Sequence, residues 1–268
     1  WRPVTVHAFA PEQPLSAAGL VVDTTIAPAS PTGSSPATAF LNVSFVITNN
    51  AAAGTPAVSA TLTVSLGKLS DDSGADDVSF DISVSDLAPS PNGRRVFLSW
   101  EQSAALVVTR PRLWWPWRMG PQHLHNATVA VKSASAAAVG GGEVLLSQRV
   151  GLREVTNSLS GGGALQVSVN RVAIQILSGG WVPDMFLRTD AARLRQELDM
   201  TKAMGLNAIR LEGMMMYREF FDLCDEMGLM VTPGVGCCDG WQHWPSWKAI
   251  EYRVAAASMV AQSRRLGS

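Results

Sequence analysis

Cysteine is scarce in this sequence, and its spacing argues against the sites that cysteine usually builds. The 268 residues contain three cysteines, Cys224, Cys237 and Cys238, with no CxxC pair and no histidine at a zinc-ligand spacing. We therefore expect three small core residues, no disulfide framework, no metal and no cofactor. His123 and His125 lie two apart on a predicted strand with no third ligand nearby, so we predict that both are surface residues.

An excess of charge of one sign and long apolar runs are also lacking. The formal net charge is −1, and the absence of a basic run argues against nucleic acid or an anionic membrane surface as partner. No apolar stretch approaches the roughly 20 residues of a membrane-spanning helix. The chain opens at Trp1 without an initiator Met or a signal peptide, so we expect the true N-terminus elsewhere. Sequons at Asn42 and Asn126 would fit a secreted or vacuolar protein, and nothing else indicates the compartment.

Up to about residue 155 the sequence is typical of antiparallel β-structure. Short alternating runs recur, separated by clusters of Pro, Gly, Ser and Asn. The runs are 20–26, 40–48, 60–66, 78–84, 95–100, 127–131 and 144–150. In the second run, one face is apolar and the other largely polar, as a half-buried strand requires. Roughly seven such strands predict an immunoglobulin-like β-sandwich.

After about residue 165 the period changes to that of alternating strands and helices. Strands are predicted at 166–170, 172–177, 207–211 and 229–232. One helix begins after Asp190 and stops at Gly205, a second stops at Gly228, and a third spans 247–266. This order predicts a parallel sheet. Because no GxGxxG segment follows the first strand, a (β/α)8 TIM barrel is favoured over a nucleotide-binding sheet. A barrel takes about 250 residues, so we expect only its first half, truncated.

Polar and aromatic side chains follow successive predicted strands of this half. In a barrel, functional groups gather at the C-terminal ends of the strands. Carboxylates there can accept hydrogen bonds from hydroxyl or ammonium groups, and indole faces can pack on a pyranose, which together indicate a sugar site. The candidates are Trp181, Asp184, Arg210, Glu212, Asp239 and Trp241. Structural explanations remain open: Arg210 and Glu212 share a side and could form an ion pair, Asp184 and Asp239 could be turn residues, and the tryptophans could be a packing cluster.

Several motifs resemble family 2 glycoside hydrolases. Leu113-Trp114-Trp115-Pro116 is similar to the end of their immunoglobulin-like domain, and Gly151-Leu152-Arg153 to the segment that leads into their barrel. Gly179-Gly180-Trp181-Val182-Pro183-Asp184, Leu206-Asn207-Ala208-Ile209-Arg210-Leu211-Glu212-Gly213 and Phe221-Asp222-Leu223-Cys224-Asp225-Glu226-Met227-Gly228 resemble the exo-β-D-glucosaminidase and plant endo-β-mannosidase branch. The tryptophan run itself is either a carbohydrate platform or a packing contact between sandwich and barrel.

The resemblance implies a retaining hydrolase that acts on β-linked glucosamine or mannose. Its two catalytic carboxyl groups, about 5–5.5 Å apart, follow the fourth and seventh barrel strands in that family. We therefore expect no catalytic residue in this chain, which would be inactive alone. Asp184 and Glu212 would contact the non-reducing sugar, while Asp239 and Trp241 would shape the adjoining wall.

The resemblance also implies a domain order. Residues 1–14 would end a jelly-roll sugar-binding domain, 15–155 would form the immunoglobulin-like sandwich, and 156–268 would form the N-terminal part of the TIM barrel. The remaining half of the barrel would complete the protein, with a β-linked oligosaccharide or glycan as its substrate. Two alternatives stay open: a non-catalytic carbohydrate-binding half-barrel protein, and an adhesive β-sandwich with a short α/β tail.

Overall fold

The structure is a computed structural model that describes residues 14–29, 37–68, 77–135, 142–186, 188, 190–213, 215–234 and 246–266. The chain divides into two compact units. The described residues of 5–112 and 124–154 form the first, here called the β unit. Residues 113–123 and 155–266 belong to the second, here called the α/β unit.

The β unit contains two four-stranded sheets that are antiparallel throughout. The first has the order β1-β2-β5, with β6 also paired to β2, and the second has the order β4-β3-β7-β8. Their strands are β1 (Leu15–Ala27), β2 (Thr38–Asn49), β3 (Val58–Gly67), β4 (Asp77–Leu87), β5 (Arg94–Ser99), β6 (Val107–Thr109), β7 (His125–Ala134) and β8 (Val144–Val150). All seven predicted runs are strands, and the three-residue strand β6 was not predicted.

The core of the β unit follows from alternation along its strands. In β2, Leu41, Val43, Phe45 and Ile47 are at most 1% exposed, because alternate side chains of a strand point to the same face. The side chain of Gln148 on β8 donates a hydrogen bond of 2.7 Å to the carbonyl of Leu20 on β1, which links the two sheets.

The surface position predicted for His125 is wrong. Its side chain is only 4% exposed. Its Nδ1 lies 3.2 Å from the carbonyl oxygen of Gly67, and its Nε2 lies 2.9 Å from that of Arg112. The imidazole ring therefore lies within hydrogen-bonding distance of two backbone carbonyls inside the β unit. The two-residue spacing from His123 gave no sign of this burial.

The α/β unit combines a small antiparallel sheet with a parallel one. β9 (Val155–Leu159), β10 (Leu165–Val169) and β11 (Val172–Ile174) form the antiparallel sheet. β12 (Ser178–Trp181), β13 (Ala208–Leu211) and β14 (Met230–Thr232) pair in parallel in that order. The helices are α1 (Ala191–Ala203), α2 (Arg218–Met227) and α3 (Ala249–Leu266). In the described parts of the chain, no helix is long and apolar enough to cross a membrane.

The first parallel strand lies later in the chain than its apolar pattern predicted. The predicted strand 172–177 is instead divided: Val172–Ile174 pairs antiparallel with β10, and the parallel sheet begins at Ser178. Glycines are disfavoured in strands, but here pairing with β13 outweighs that local preference. Gly179, Gly180 and Trp181 are thus part of a strand rather than of the loop after it.

The tryptophan run packs against the ends of α1 and α2. Trp114 is 2% exposed, and its Nε1 donates to the carbonyl of Asp225 at 2.7 Å. Trp117 donates from Nε1 to the carbonyl of Leu206 at 2.8 Å and from its backbone N–H to that of Gly228 at 3.0 Å. Carbonyls at helix C-termini lack intrahelical partners, so the bonds to Asp225 and Gly228 stabilise the end of α2, while the bond to Leu206 fixes the segment between α1 and β13. Trp114 and Trp117 are packing residues here.

Candidate functional site

Strand β13 presents two different faces, and its alternating sequence explains why. Ile209 and Leu211 are 1% and 2% exposed and belong to the core that also contains buried residues of α1 and α2. Arg210 lies between these two residues and Glu212 follows Leu211, so both charged side chains point to the opposite face. Their side chains are 65% and 35% exposed. The end of β13 thus carries two charged groups on a face that the helices do not cover.

Arg210 and Glu212 form an ion pair, which was one of the two roles that their shared side of the strand left open. Arg210 Nη1 lies 3.1 Å from Glu212 Oε1. Gly180, the register partner of Arg210 on β12, has no side chain, and a Cβ there would lie 3.3 Å from the same oxygen. Within the described part of the chain, Glu212 Oε2 makes no hydrogen bond. The pair therefore fixes one carboxylate oxygen and leaves the other available to a ligand.

Asn207 connects β13 to the segment that enters β12. Its Oδ1 accepts the backbone N–H of Leu177 at 2.9 Å, and its Nδ2 donates to the carbonyl of Gln175 at 2.8 Å. Its backbone N–H bonds the carbonyl of Leu177 as well. The side-chain amide of Asn207 thus makes hydrogen bonds to the backbone just before Ser178, where β12 begins. These bonds support the register between β12 and β13 that brings Gly180 beside Glu212.

Asp184 lies in the loop after β12, where its carboxylate is already fully engaged. Oδ1 accepts the backbone N–H of Phe186 at 2.9 Å and the Nε of Arg188 at 3.0 Å. Oδ2 lies 2.6 Å from Arg188 Nη2 and 3.0 Å from Arg193 Nη1. The hydrogen bonds from Arg188 hold the pKa of Asp184 well below its usual range, although partial burial opposes this shift. The carboxylate therefore favours its charged form, and its bonds to Phe186, Arg188 and Arg193 order the loop.

Trp181 belongs to the face of the sheet that the helices cover. Its ring packs against the helical core, with its centroid 5.4 Å from that of Phe220. Its Nε1 is buried and has no hydrogen-bond partner among the described residues. Trp181 and Asp184 line a shallow, open pocket, whose other walls include Arg193 of α1 and Tyr217.

The predicted site residues therefore fall into two groups. Trp181 and Asp184 share the pocket beside α1, whereas Arg210 and Glu212 share the uncovered face of β13. Asp239 and Trp241 lie outside the described residues. No cluster of three or more His, Cys, Asp or Glu side chains that could hold a metal ion occurs in the described ranges.

Sequence reasoning missed Arg188 and Arg193, the partners of Asp184. The only local signal was the spacing of four residues between Asp184 and Arg188. Arg193 stands in the first turn of α1, whose N-cap Asp190 accepts its backbone N–H at 2.9 Å. Its contact with Asp184 depends on how the loop folds back on the helix, which no sequence pattern gives.

Comparison with known proteins shows that the sequence is similar to those of glycosidases. No protein-family model matches the chain. An exo-β-D-glucosaminidase of Streptomyces avermitilis is 38% identical over 168 residues, which are 60% of this chain and 18% of that protein. A mannosylglycoprotein endo-β-mannosidase of Lilium longiflorum is 32% identical over 146 residues, 50% of this chain and 14% of that protein. The chain thus spans about a fifth of the length of the curated relatives it matches.

Solved structures extend the match over nearly the whole chain. The exo-chitosanase CsxA of Amycolatopsis orientalis superposes with a TM-score of 0.70 at 26% identity, covering 95% of this chain and 27% of that one. A glycosyl hydrolase family 2 member of Bacteroides cellulosilyticus shares the fold, with a TM-score of 0.67 and 18% identity. The sequence resemblance is therefore confirmed: homologues are exo-β-D-glucosaminidases and β-mannosidases, and structural neighbours are family 2 glycoside hydrolases.

Proposed function

We propose that this chain, a homologue of the exo-β-D-glucosaminidases and β-mannosidases with structural neighbours in glycoside hydrolase family 2, supplies part of the sugar-recognition surface of a retaining β-glycosidase. The observation that carries the proposal is the Arg210–Glu212 pair at the C-terminal end of β13, with Nη1 3.1 Å from Oε1. Its substrate would be a β-linked glucosamine or mannose unit at the non-reducing end of a glycan.

The architecture that we propose for this function has two parts. The β unit would be an immunoglobulin-like sandwich, and the α/β unit would be the first half of a (β/α)8 barrel. The parallel pairing of β12, β13 and β14, with α1 and α2 in the intervening segments, is the pattern such a barrel repeats. Residues outside this sequence would supply the acid/base and the nucleophile. A jelly-roll domain would precede residue 15.

Glu212 is the residue to which we assign direct sugar contact. Its unengaged Oε2 can accept a hydrogen bond from a sugar hydroxyl, or form a charge-assisted one with an ammonium group. Arg210 holds the other oxygen and can itself donate to a hydroxyl. Asp184, whose two oxygens are engaged by Arg188 and Arg193, would fix the loop beside the sugar. Asp239 and Trp241 are proposed to form the side of the sugar site next to Glu212. Trp181, which packs on the helical core, is proposed to support the loop that carries Asp184.

The test is the substitution Glu212→Gln in the full-length protein that contains this chain. Because a hydrogen bond to a charged group contributes about 1.5–3 kcal/mol, kcat/KM for β-glucosaminides or β-mannosides should fall about 10-fold to 150-fold. Asp222→Asn is the matched control, since Asp222 forms an exposed pair with Arg218 on α2 at 3.6 Å. Equal kcat/KM for Glu212→Gln and the unaltered protein would refute the assignment.

A second measurement separates the proposal from a non-catalytic binding protein. The 268-residue chain alone should release no sugar from chitosan or mannosyl oligosaccharides, because the catalytic carboxyl groups would lie outside it. Turnover by the isolated chain would contradict the proposal. If the native protein is no larger than this chain and binds these sugars without turnover, the binding-module alternative is correct instead.

A further inference from the structure

The two Asn-x-Ser/Thr sequons lie on different sheets of the β unit, in opposite environments. Asn42 is in β2 and Asn126 is in β7. We infer that Asn126, and not Asn42, is the N-glycosylation site of this chain when it passes through a eukaryotic secretory pathway. This modification is independent of the proposed sugar recognition, because both sequons belong to the other unit.

Asn126 stands on an open face of its sheet. The side chains on either side of it in the strand, His125 and Ala127, are 4% and 0% exposed, so Asn126 points the opposite way and is exposed. The hydroxyl residue of its sequon, Thr128, shares that face and lies opposite Ser65 of β3. A glycan is bulky and must project into solvent. The exposed Asn126 meets that requirement, beside its register partner on β8, Arg149, which is itself exposed.

Small hydroxyl side chains continue across this face, which gives a glycan room beyond its first sugar. Ser65 on β3 lies opposite Ser79 on β4, and the two hydroxyls are 3.3 Å apart. Ser147 on β8 lies opposite Thr128 on the other side. Hydroxyl groups can also exchange hydrogen bonds with a carbohydrate. The face can therefore accommodate a sugar chain without displacing packed side chains.

Asn42 is enclosed by comparison. Its strand, like β7, is paired on both sides, and Asp23 of β1 and Ser99 of β5 are its register partners. Its Oδ1 is buried and has no hydrogen-bond partner among the described residues. Ser44, the hydroxyl residue of this sequon, is 4% exposed, and its Oγ accepts a bond of 3.1 Å from Arg95.

A glycan on Asn42 would conflict with this arrangement. Asn42 is half-buried, and its buried Oδ1 would have to move for Nδ2 to carry a sugar in solvent, while Arg95 donates to Ser44 on the same face. Chains modified at Asn42 would therefore fail to complete the first sheet and would be retained by the cell. Secreted, folded protein should carry a glycan at Asn126 alone.

The experiment is site mapping on protein secreted by cultured eukaryotic cells from a gene with a cleavable leader. Peptide-N-glycosidase converts a glycosylated Asn to Asp, and mass spectrometry of the peptides then identifies the site. Asn126→Gln and Thr128→Ala should each abolish the glycan, whereas Thr128→Ser should restore it. Asn42→Gln should leave the glycan unchanged. The serine rescue distinguishes a lost acceptor site from a folding defect.

Two results would overturn the inference. One is a glycan at Asn42 in secreted protein whose β unit resists proteolysis. The other is secreted protein with Asn126 unmodified. Both are read from the unaltered chain by peptide mapping, so the result does not depend on whether any variant folds. Neither outcome bears on Glu212 or on hydrolysis, so this inference and the proposed function fail separately.

Discussion

Replacing Gly228 by alanine tests how closely the tryptophan run packs on the end of α2. Gly228 has φ +74°, and a Cβ there would lie 2.5 Å from the backbone nitrogen of Trp117. Gly205, after α1, has φ +84°, and a Cβ there would meet no described atom within 4 Å beyond its chain neighbours. Alanine at Gly205 should cost about 1 kcal/mol, for the left-handed backbone alone. At Gly228 we expect about 1–3 kcal/mol more from overpacking.

Amide hydrogen exchange of α2 measures this difference within one unit. Because each 1.4 kcal/mol corresponds to tenfold, amides of Arg218–Met227 should exchange about 5-fold to 150-fold faster in Gly228→Ala than in Gly205→Ala. Peptides of β3, in the other unit, serve as the internal reference. If the amides of α2 exchange equally fast in the two variants, the segment at Trp117 can move to accommodate the extra methyl group without a loss of stability. The packing argument would then be wrong.

Two further predictions concern Asp184 and Trp114. In a carboxyl NMR titration, Arg188→Gln should raise the pKa of Asp184 towards its usual value, whereas Arg195→Gln should not change it. Folding lowers this pKa, so the wild type should be more stable than Arg188→Gln above about pH 4, and this difference in the free energy of unfolding should disappear as the pH falls further. An unchanged pKa of Asp184 in Arg188→Gln would contradict the pairing. Trp114→Phe should lower the free energy of unfolding, measured in urea, by about 1–3 kcal/mol, because the carbonyl of Asp225 loses its donor. The control Trp100→Phe, at a partly exposed position, should cost about 0.5 kcal/mol. Equal losses in the two variants would contradict a stabilising role of the Trp114 hydrogen bond.

The strands of the β unit were predictable because their burial has a local period. Alternation in β2 alone identifies Leu41, Val43, Phe45 and Ile47 as core, and the structure buries all four. The strands that were missed lack such a period. β6 has three residues, and every residue of β9 is exposed. Strands of that kind are defined by their partners, which a single stretch of sequence does not contain.

The candidate site was predictable only in part, for a similar reason. The two-residue spacing of Arg210 and Glu212 on one strand left an ion pair open as one of two roles, and the structure shows that pair. The helix-facing position of Trp181 follows from the pairing of a glycine-rich strand, which its composition did not indicate. The arginines around Asp184 depend on a loop folding onto α1. Sequence patterns thus indicate which residue types gather at the strand ends, while tertiary contacts decide which of them face a ligand together.

The path of the chain limits how this protein can be divided or recombined. Among the described residues, the chain leaves the β unit after Arg112, returns at Leu124 and leaves again after Glu154, which gives three peptide connections between the two units. A gene fragment that starts at residue 155 would encode β12 to β14 but omit Trp114 and Trp117. Any exchange of modules between related proteins must therefore transfer the short segment 113–123 together with the α/β unit, and three separate breakpoints would be needed at once. We expect such recombinants to be rare, and the two units to be inherited as a pair.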